Sequence, residues 1–265
     1  MTSPQPLYDR IGRSYDRSRK ADPRIAAQLA ALLGPSGKGP VLDAGCGTAN
    51  YTAALAARGY AMTGLEISTE MLAKARRKSP EIEFVQGSAM TLPFADGQFS
   101  RVLCTLAAHH FRDRTAAFRE VRRVLSTGPF VLFTAFAEQM ERYWLARYFP
   151  QTMARALKQM PSEAGWREAL AEAGFGAVEV VPWDVPEDLQ DLFWYAGKHR
   201  PELYFDPVIR AGTSAFASLA GEAEVEEGLS ILRADIDGGA FPQILAAARH
   251  DGGDYAFIAA RPSPR

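Results

Sequence analysis

The chain has 265 residues, 47% hydrophobic and 23% charged, with a formal net charge of −1, the composition of a soluble globular protein able to bury a large core. The near-neutral charge gives no ground for a nucleic-acid partner or an anionic membrane surface. No apolar run approaches the ~20 residues that span a bilayer, and Met1–Pro6 lacks the apolar core of a signal segment. The two cysteines, Cys46 and Cys104, form neither a disulfide framework nor, by themselves, a zinc site, so no metal is expected and the chain is placed in the cytoplasm.

The first element is a helix over 23–33, with Asp22 as N-cap and Pro23 at its first position. A strand over 40–45 follows and runs into Asp43-Ala44-Gly45-Cys46-Gly47-Thr48-Ala49-Asn50. A helix over 49–58 comes next, closed by Gly59. Strand 61–66 ends on Glu66, and Ser68 heads a helix over 68–78. Strands 82–86, 99–105 and 129–136 complete the alternation, with a helix over 114–125 before the last. Apolar strands separated by helical periods predict a parallel sheet with crossover helices. The basic clusters Arg76-Arg77-Lys78 and Arg114, Arg119, Arg122, Arg123 read as solvated helix faces.

After Phe136 the composition changes. Tyr143, Trp144, Tyr148, Phe149, Met153 and Met160 crowd one helical insertion before Pro161, as a cap over a pocket or as helix-packing core. A helix over 162–173, a strand over 177–181, a third helical region over 186–249 and a last strand over 254–260 complete the chain. The expected fold is α/β: a doubly wound, mostly parallel, seven-stranded sheet with a helical cap. Residues 1–137, 162–185 and 254–262 form the core, and 138–161 and 186–250 are helical insertions over the substrate.

The glycine turn is the first chemical signal. Gly45 and Gly47 let the backbone bend sharply and approach a ligand without Cβ atoms in the way. About twenty residues on, Glu66 stands at a strand end where an acid accepts hydrogen bonds from ribose hydroxyls. This pairing specifies a nucleoside and leaves nicotinamide and other cofactors open. Asn50 at the final glycine position and the lack of a clear Tyr-x-x-x-Lys pair after the fourth strand disfavour a nicotinamide oxidoreductase.

Five motifs in order carry a closer resemblance. They are the Asp43/Gly45/Gly47 loop, Gly64-Leu65-Glu66-Ile67-Ser68 with Met71-Leu72, and Val85-Gln86-Gly87-Ser88-Ala89 leading to Leu92-Pro93-Phe94. Phe99 and a strand ending in Ala108-His109-His110-Phe111 come fourth, and Glu120–Leu125 with Gly128-Pro129 comes last. Over roughly residues 8–185 the chain resembles the class I S-adenosylmethionine (SAM)-dependent methyltransferases, in particular the small-molecule group similar to ubiquinone and menaquinone biosynthesis enzymes, which have a Rossmann-like fold. The resemblance implies that Gly45, Cys46 and Gly47 meet the methionine part of SAM and that Asp43 organises the turn and its ammonium contacts. It further implies that Glu66 holds the ribose, that Ile67 and Met71 flank the adenine, and that Ser88 and Ala89 border its exocyclic edge. Leu106 would offer a carbonyl to the ammonium, while Tyr15 and Arg19 fold over the cofactor carboxylate. Three departures stand out: Ala49 replaces a usual third glycine, Ser88 a common Asp, and Gly128-Pro129 a Gly-Gly pair.

Methyl transfer from a sulfonium is an in-line displacement, so positioning and water exclusion dominate. His109 and His110 sit where a doubly wound sheet opens its ligand crevice, and imidazole is the candidate base for a hydroxyl, ammonium or acidic carbon. The aromatic residues of the insertions point to a small, apolar or aromatic acceptor, with Trp144, Tyr148, Tyr195 and His199 as candidate contacts. Methylation of oxygen, nitrogen or carbon remains open at this point. The competing reading is a SAM-binding protein repurposed for a non-methylating or structural role.

Overall fold

The computed structural model describes residues 15–263; residues 1–14, including the Met1–Pro6 segment, and 264–265 lie outside the described residues. Seven strands, β1 Val41–Ala44, β2 Met62–Glu66, β3 Glu83–Gln86, β4 Arg101–Thr105, β5 Phe130–Thr134, β6 Phe175–Trp183 and β7 Tyr255–Pro262, form one sheet in the order β3-β2-β1-β4-β5-β7-β6. β7 runs antiparallel to both of its neighbours, and the other pairings are parallel. Strand order reverses between β1 and β4. In such sheets ligands bind in the crevice beyond the carboxyl ends at that point.

Local chemistry sets the ends of the helices as expected. Asp22 Oδ1 accepts the Arg24 amide at 2.9 Å ahead of helix Pro23–Leu33, and Ser68 Oγ accepts the Met71 amide at 3.2 Å ahead of helix Thr69–Lys78. Ala49 precedes helix Asn50–Ala56 in a left-handed conformation, φ 65° and ψ 26°, which explains why a glycine would suit that position.

The central strands are buried on both faces with a period of two, while the edge strands β3 and β6 are partly exposed. Val41, Leu103, Val131, Phe133 and Phe257 pack on one side with helices Pro23–Leu33 and Asn50–Ala56 and with aromatic side chains of both insertions. Leu42, Val102, Leu132 and Ile258 face the other side, against Phe118 and Trp166.

Three expectations need correction. β4 ends at Thr105, as the span 99–105 predicts, but the His109-His110 pair is not at its end: it lies beyond on a 3₁₀ turn, Ala108–His110, because Leu106 takes φ 53° and breaks the strand. The first insertion is not one helix but a turn of helix Ala137–Met140, a 3₁₀ turn Trp144–Arg147 and helix Pro150–Leu157, whose first position is a proline. The second insertion is not helical throughout: residues 186–200 form no helix, and regular helices begin only after the 3₁₀ turn Pro201–Phe205. Pro186 and Pro201 interrupt the helical period, and Gly197 sits where any Cβ would run into the Tyr204 ring.

Polar contacts bind the insertions to the sheet. Gln139 takes the Phe136 amide at 2.8 Å and donates to the Gly252 and Tyr255 carbonyls at 2.9 and 3.0 Å. Lys198 Nζ meets Asp254 Oδ2 at 2.6 Å, and the same oxygen accepts the Val185 amide at 2.7 Å, with both side chains buried. Between the insertions the Tyr143 and Tyr195 rings stack with centroids 3.9 Å apart, and Trp144 Nε1 donates to the Lys198 carbonyl at 3.1 Å.

Without Asp254 the buried Lys198 ammonium keeps only the exposed Asp184 carboxylate, at 3.5 Å, and a buried charge that loses its close partner is poorly compensated. Asp254→Ala is therefore expected to lower stability by about 3–5 kcal/mol, measured by urea unfolding. A loss below about 1 kcal/mol, the scale of an exposed pair, would show that the Asp184 contact is compensation enough for Lys198.

Candidate functional site

The turn after β1 is tied to the end of β2. Leu65 O accepts the Gly45 and Cys46 amides at 2.8 and 2.9 Å, Glu66 Oε2 accepts the Gly47 amide at 3.1 Å, and Glu66 Oε1 accepts those of Ile67 and Ser68, each at 2.9 Å. Gly45 has φ 90°, and a Cβ there would lie 2.8 Å from the Ala107 methyl, so this turn admits only glycine.

Beneath the turn Asp43 is 2% exposed. Its Oδ2 accepts the Thr52 hydroxyl at 2.7 Å, while Oδ1 is buried without a partner. Burial pushes its pKa up to about 7, the Thr52 hydrogen bond opposing and the Glu66 charge adding to the rise. Thr105 Oγ1, at the end of β4, is a second buried atom without a partner.

These residues line two neighbouring cavities. One, with about 940 Å³ of empty space, is bordered by Glu66, Ile67, Gly87, Ser88, Ala89 and Phe111; Ile67 is 51% exposed there, an unusual state for a large aliphatic side chain. The other, about 570 Å³, runs from Glu66 past Asp43 and the glycine turn to Thr105, Leu106, Tyr15 and Arg19. Gly45, Glu66, Ala107 and His110 border both. All the positions expected to meet the cofactor, Tyr15, Arg19, Asp43, Gly45, Cys46, Gly47, Glu66, Ile67, Met71, Ser88, Ala89 and Leu106, lie on these two linings.

Arg19 is not a lone cation. Its guanidinium forms a forked pair with Asp191, the Nη2–Oδ2 distance being 3.2 Å, and lies over the Tyr15 ring at 4.8 Å from the centroid. Tyr51 donates its hydroxyl to Asp191 Oδ2 at 3.0 Å.

A third cavity, about 680 Å³, adjoins the second and shares Arg19, Leu106 and His110 with it. Its other walls come from both insertions, including Met140, Met160, Phe193, Trp194 and Thr213, and from Tyr255 of β7. His109 and His110 both line it, with ring centroids 4.0 Å apart. Burial lowers both imidazoles, His110 to about 4 and His109 well below its ordinary range, where His110 and the Arg114 and Arg19 charges add to the effect. Both rings are therefore neutral at pH 7.

The proposed acceptor contacts lie elsewhere. Trp144, Tyr148 and Tyr195 are buried in the packing between the insertions, with Tyr148 donating to Asp235 at 2.8 Å and Tyr195 Oη accepting the Trp144 amide at 3.3 Å. His199 Nε2 is 3.0 Å from the Val185 carbonyl. None of the four lines the third cavity. Sequence reading also missed Thr105, Ala107 and Asp191 in the cleft and Phe193 in the third cavity; Trp194, one of the insertion aromatics that point to an apolar acceptor, does line that cavity. The aromatic run Phe193-Trp194-Tyr195 was a usable signal, but without helical periodicity it does not tell which ring faces inward.

The cleft suits the cofactor that the sequence motifs imply. A buried carboxylate oxygen and a hydroxyl lacking partners accommodate an ammonium group, and an acid beside an exposed aliphatic side chain accommodates a nucleoside. Comparison with known proteins points the same way. Residues 42–133 match the methyltransferase domain family. A malonyl-[acyl-carrier protein] O-methyltransferase of Erwinia pyrifoliae is 30% identical over 198 residues, 72% of this chain and 75% of that protein. A demethylmenaquinone methyltransferase of Chlorobaculum tepidum is 28% identical over 163 residues, 54% of this chain and 67% of that protein. A crystal structure from Anabaena variabilis, described as a methyltransferase of an antibiotic biosynthesis pathway, superposes with a TM-score of 0.82 at 35% identity, covering 92% of this chain and 98% of that one. The chain belongs to the SAM-dependent methyltransferases.

Proposed function

We propose that the enzyme methylates a small, largely apolar molecule held in the third cavity, against SAM lying along the first two. The observation that carries this reading is the shared wall: Leu106 and His110 border both the methionine end of the cofactor cleft and the third cavity. When bound, SAM supplies an electrophilic methyl carbon on a sulfonium and leaves as S-adenosylhomocysteine (SAH). The chain's own residues supply position, dryness and charge balance. Asp43 and Thr105 receive the amino-acid end, Glu66 the ribose, and Ile67 with Ser88 and Ala89 the adenine. Leu106, held at φ 53° between the two spaces, keeps the backbone at the point where they meet.

His109 and His110 orient the acceptor by hydrogen bonding. As proton acceptors they are weak, because burial disfavours the imidazolium that proton transfer would create. Catalysis then rests mainly on alignment and water exclusion. In this reading the described part of residues 1–137, with 162–185 and 254–262, forms the cofactor core, while 138–161 and 186–250 supply most of the acceptor walls. No helix among the described residues is long and apolar enough to cross a membrane. Two buried free thiols support a reducing, cytoplasmic setting, and the net charge of −1 favours small molecules over nucleic acid. The direct test is release of SAH from SAM in the presence of candidate acceptors.

Two predictions follow from the cofactor assignment. Glu66→Ala is expected to weaken SAH binding by about 1–3 kcal/mol, the usual scale for hydrogen bonds to a charged group; an unchanged dissociation constant by calorimetry would reject the ribose role. Asp43 makes stability depend on pH. Its folded pKa of about 7 lies above the ~3.9 of an unfolded Asp, so the folded state holds the extra proton between those values. Its contribution must fall as pH rises through that window, by at most about 1.4 kcal/mol per unit, and level off above pH 7. Urea unfolding of the cofactor-free wild type and Asp43→Asn at pH 4.5, 5.5, 6.5 and 7.5 should show the variant gaining on the wild type across the series, and parallel curves would contradict the assignment.

A further inference from the structure

The third cavity selects by charge and by two hydrogen-bonding atoms, and this inference rests on its reading as the acceptor site. Among its described lining residues Arg19 is the side chain with a permanent formal charge, and Asp191 neutralises it through the forked pair. His109 and His110 are uncharged at pH 7, and the remaining lining is apolar or carries hydroxyl, amide or indole groups. A carboxylate or ammonium entering this space would lose its hydration with no unpaired opposite charge to meet it.

Two of the lining side chains each carry a buried polar atom that makes no hydrogen bond, Trp194 Nε1 and His109 Nδ1. The two atoms come from different parts of the chain, one from the 3₁₀ turn after β4 and the other from the irregular stretch of the second insertion. Indole nitrogen only donates, so the complementary group must be an acceptor such as a carbonyl, ether or hydroxyl oxygen. A neutral imidazole nitrogen either donates or accepts according to tautomer, which a hydroxyl matches in both cases. Leaving a buried polar atom unpaired is costly, so a ligand that completes it gains affinity over one that does not.

We propose that the methyl acceptor is an uncharged, mainly apolar molecule carrying a hydroxyl or carbonyl oxygen that takes the Trp194 N–H, with a hydroxyl meeting His109, and that free carboxylates and amines are excluded. Trp194 is then a specificity-determining residue rather than part of the hydrophobic packing alone. Its neighbours divide the work: Phe193 shares the cavity wall, while Tyr195 stacks on Tyr143 and holds the insertion together.

The test uses the full chain saturated with SAH and three probes of one ring system, 2-naphthol, 2-naphthoate and 2-naphthylmethylammonium, titrated by calorimetry at pH 7.5. The expected result is binding of 2-naphthol at least tenfold tighter than either charged probe. Trp194→Phe, with its thermal melt confirming that it folds, should lower the 2-naphthol affinity about fivefold and narrow the gap to the charged probes. Equal or tighter binding of a charged probe, binding of none of the three by protein that binds SAH, or an unchanged 2-naphthol affinity in Trp194→Phe would overturn the proposal. Failure to bind SAH itself would instead strike the cofactor assignment on which the proposal rests.

Discussion

The site depends on a single convergence of backbone amides on the end of β2. The Leu65 carbonyl and the Glu66 carboxylate together accept five of them, three from the turn after β1 and two from Ile67 and Ser68 just ahead of helix Thr69–Lys78. Amides that would otherwise be orphaned at a tight turn are satisfied, and the turn is fixed relative to the acid. The register Asp43↔Gly64 and Ala44↔Leu65 brings these groups level, so the cleft is a product of parallel pairing at the reversal of strand order. Gly45 then has no freedom to be anything else, since Ala107 from the neighbouring strand end occupies the space a Cβ would need.

The buried charges show a contrast between what the fold compensates and what it leaves for a ligand. Arg19, Asp191 and Tyr51 satisfy one another, and Lys198 and Asp254 do the same beneath the second insertion. Asp43 has only Thr52, and its second oxygen is bare. A carboxyl held near neutrality in pH by burial is a group waiting for a cation, and the cleft it borders takes a positively charged cofactor. The cost of that arrangement falls on the cofactor-free protein, and on the proposed reading binding offsets it.

Legibility in the sequence followed the range of the interactions. The helix caps at Asp22 and Ser68, the glycine turn and the acid at Glu66 are set by neighbours a few residues away or by one strand pairing, and each leaves a pattern in the residue order. The helical content of residues 186–200 was misjudged because prolines at both ends and a packed glycine matter more there than apolar spacing. Asp191 was invisible for another reason: its partner Arg19 stands 172 positions away, and nothing local marks an Asp that will be buried. Trp144, Tyr148 and Tyr195 were read as pocket aromatics because composition shows that rings cluster, not which way they face.

That division also separates the two halves of the chemistry. Much of the cofactor cleft is shaped by backbone, and backbone needs only a few residue types at fixed spacing, so the cleft survives translation into sequence motifs. The third cavity is formed by side chains from the turn after β4, two insertions and β7, none of which is positioned by a short-range rule. Its properties emerge only from the sum: one neutralised guanidinium, two imidazoles kept uncharged by burial, and two polar atoms without partners. On the proposed reading, acceptor choice can therefore change by altering a few insertion residues while the turn, Glu66 and Asp43 stay as they are, because the two linings meet at little more than Arg19, Leu106 and His110.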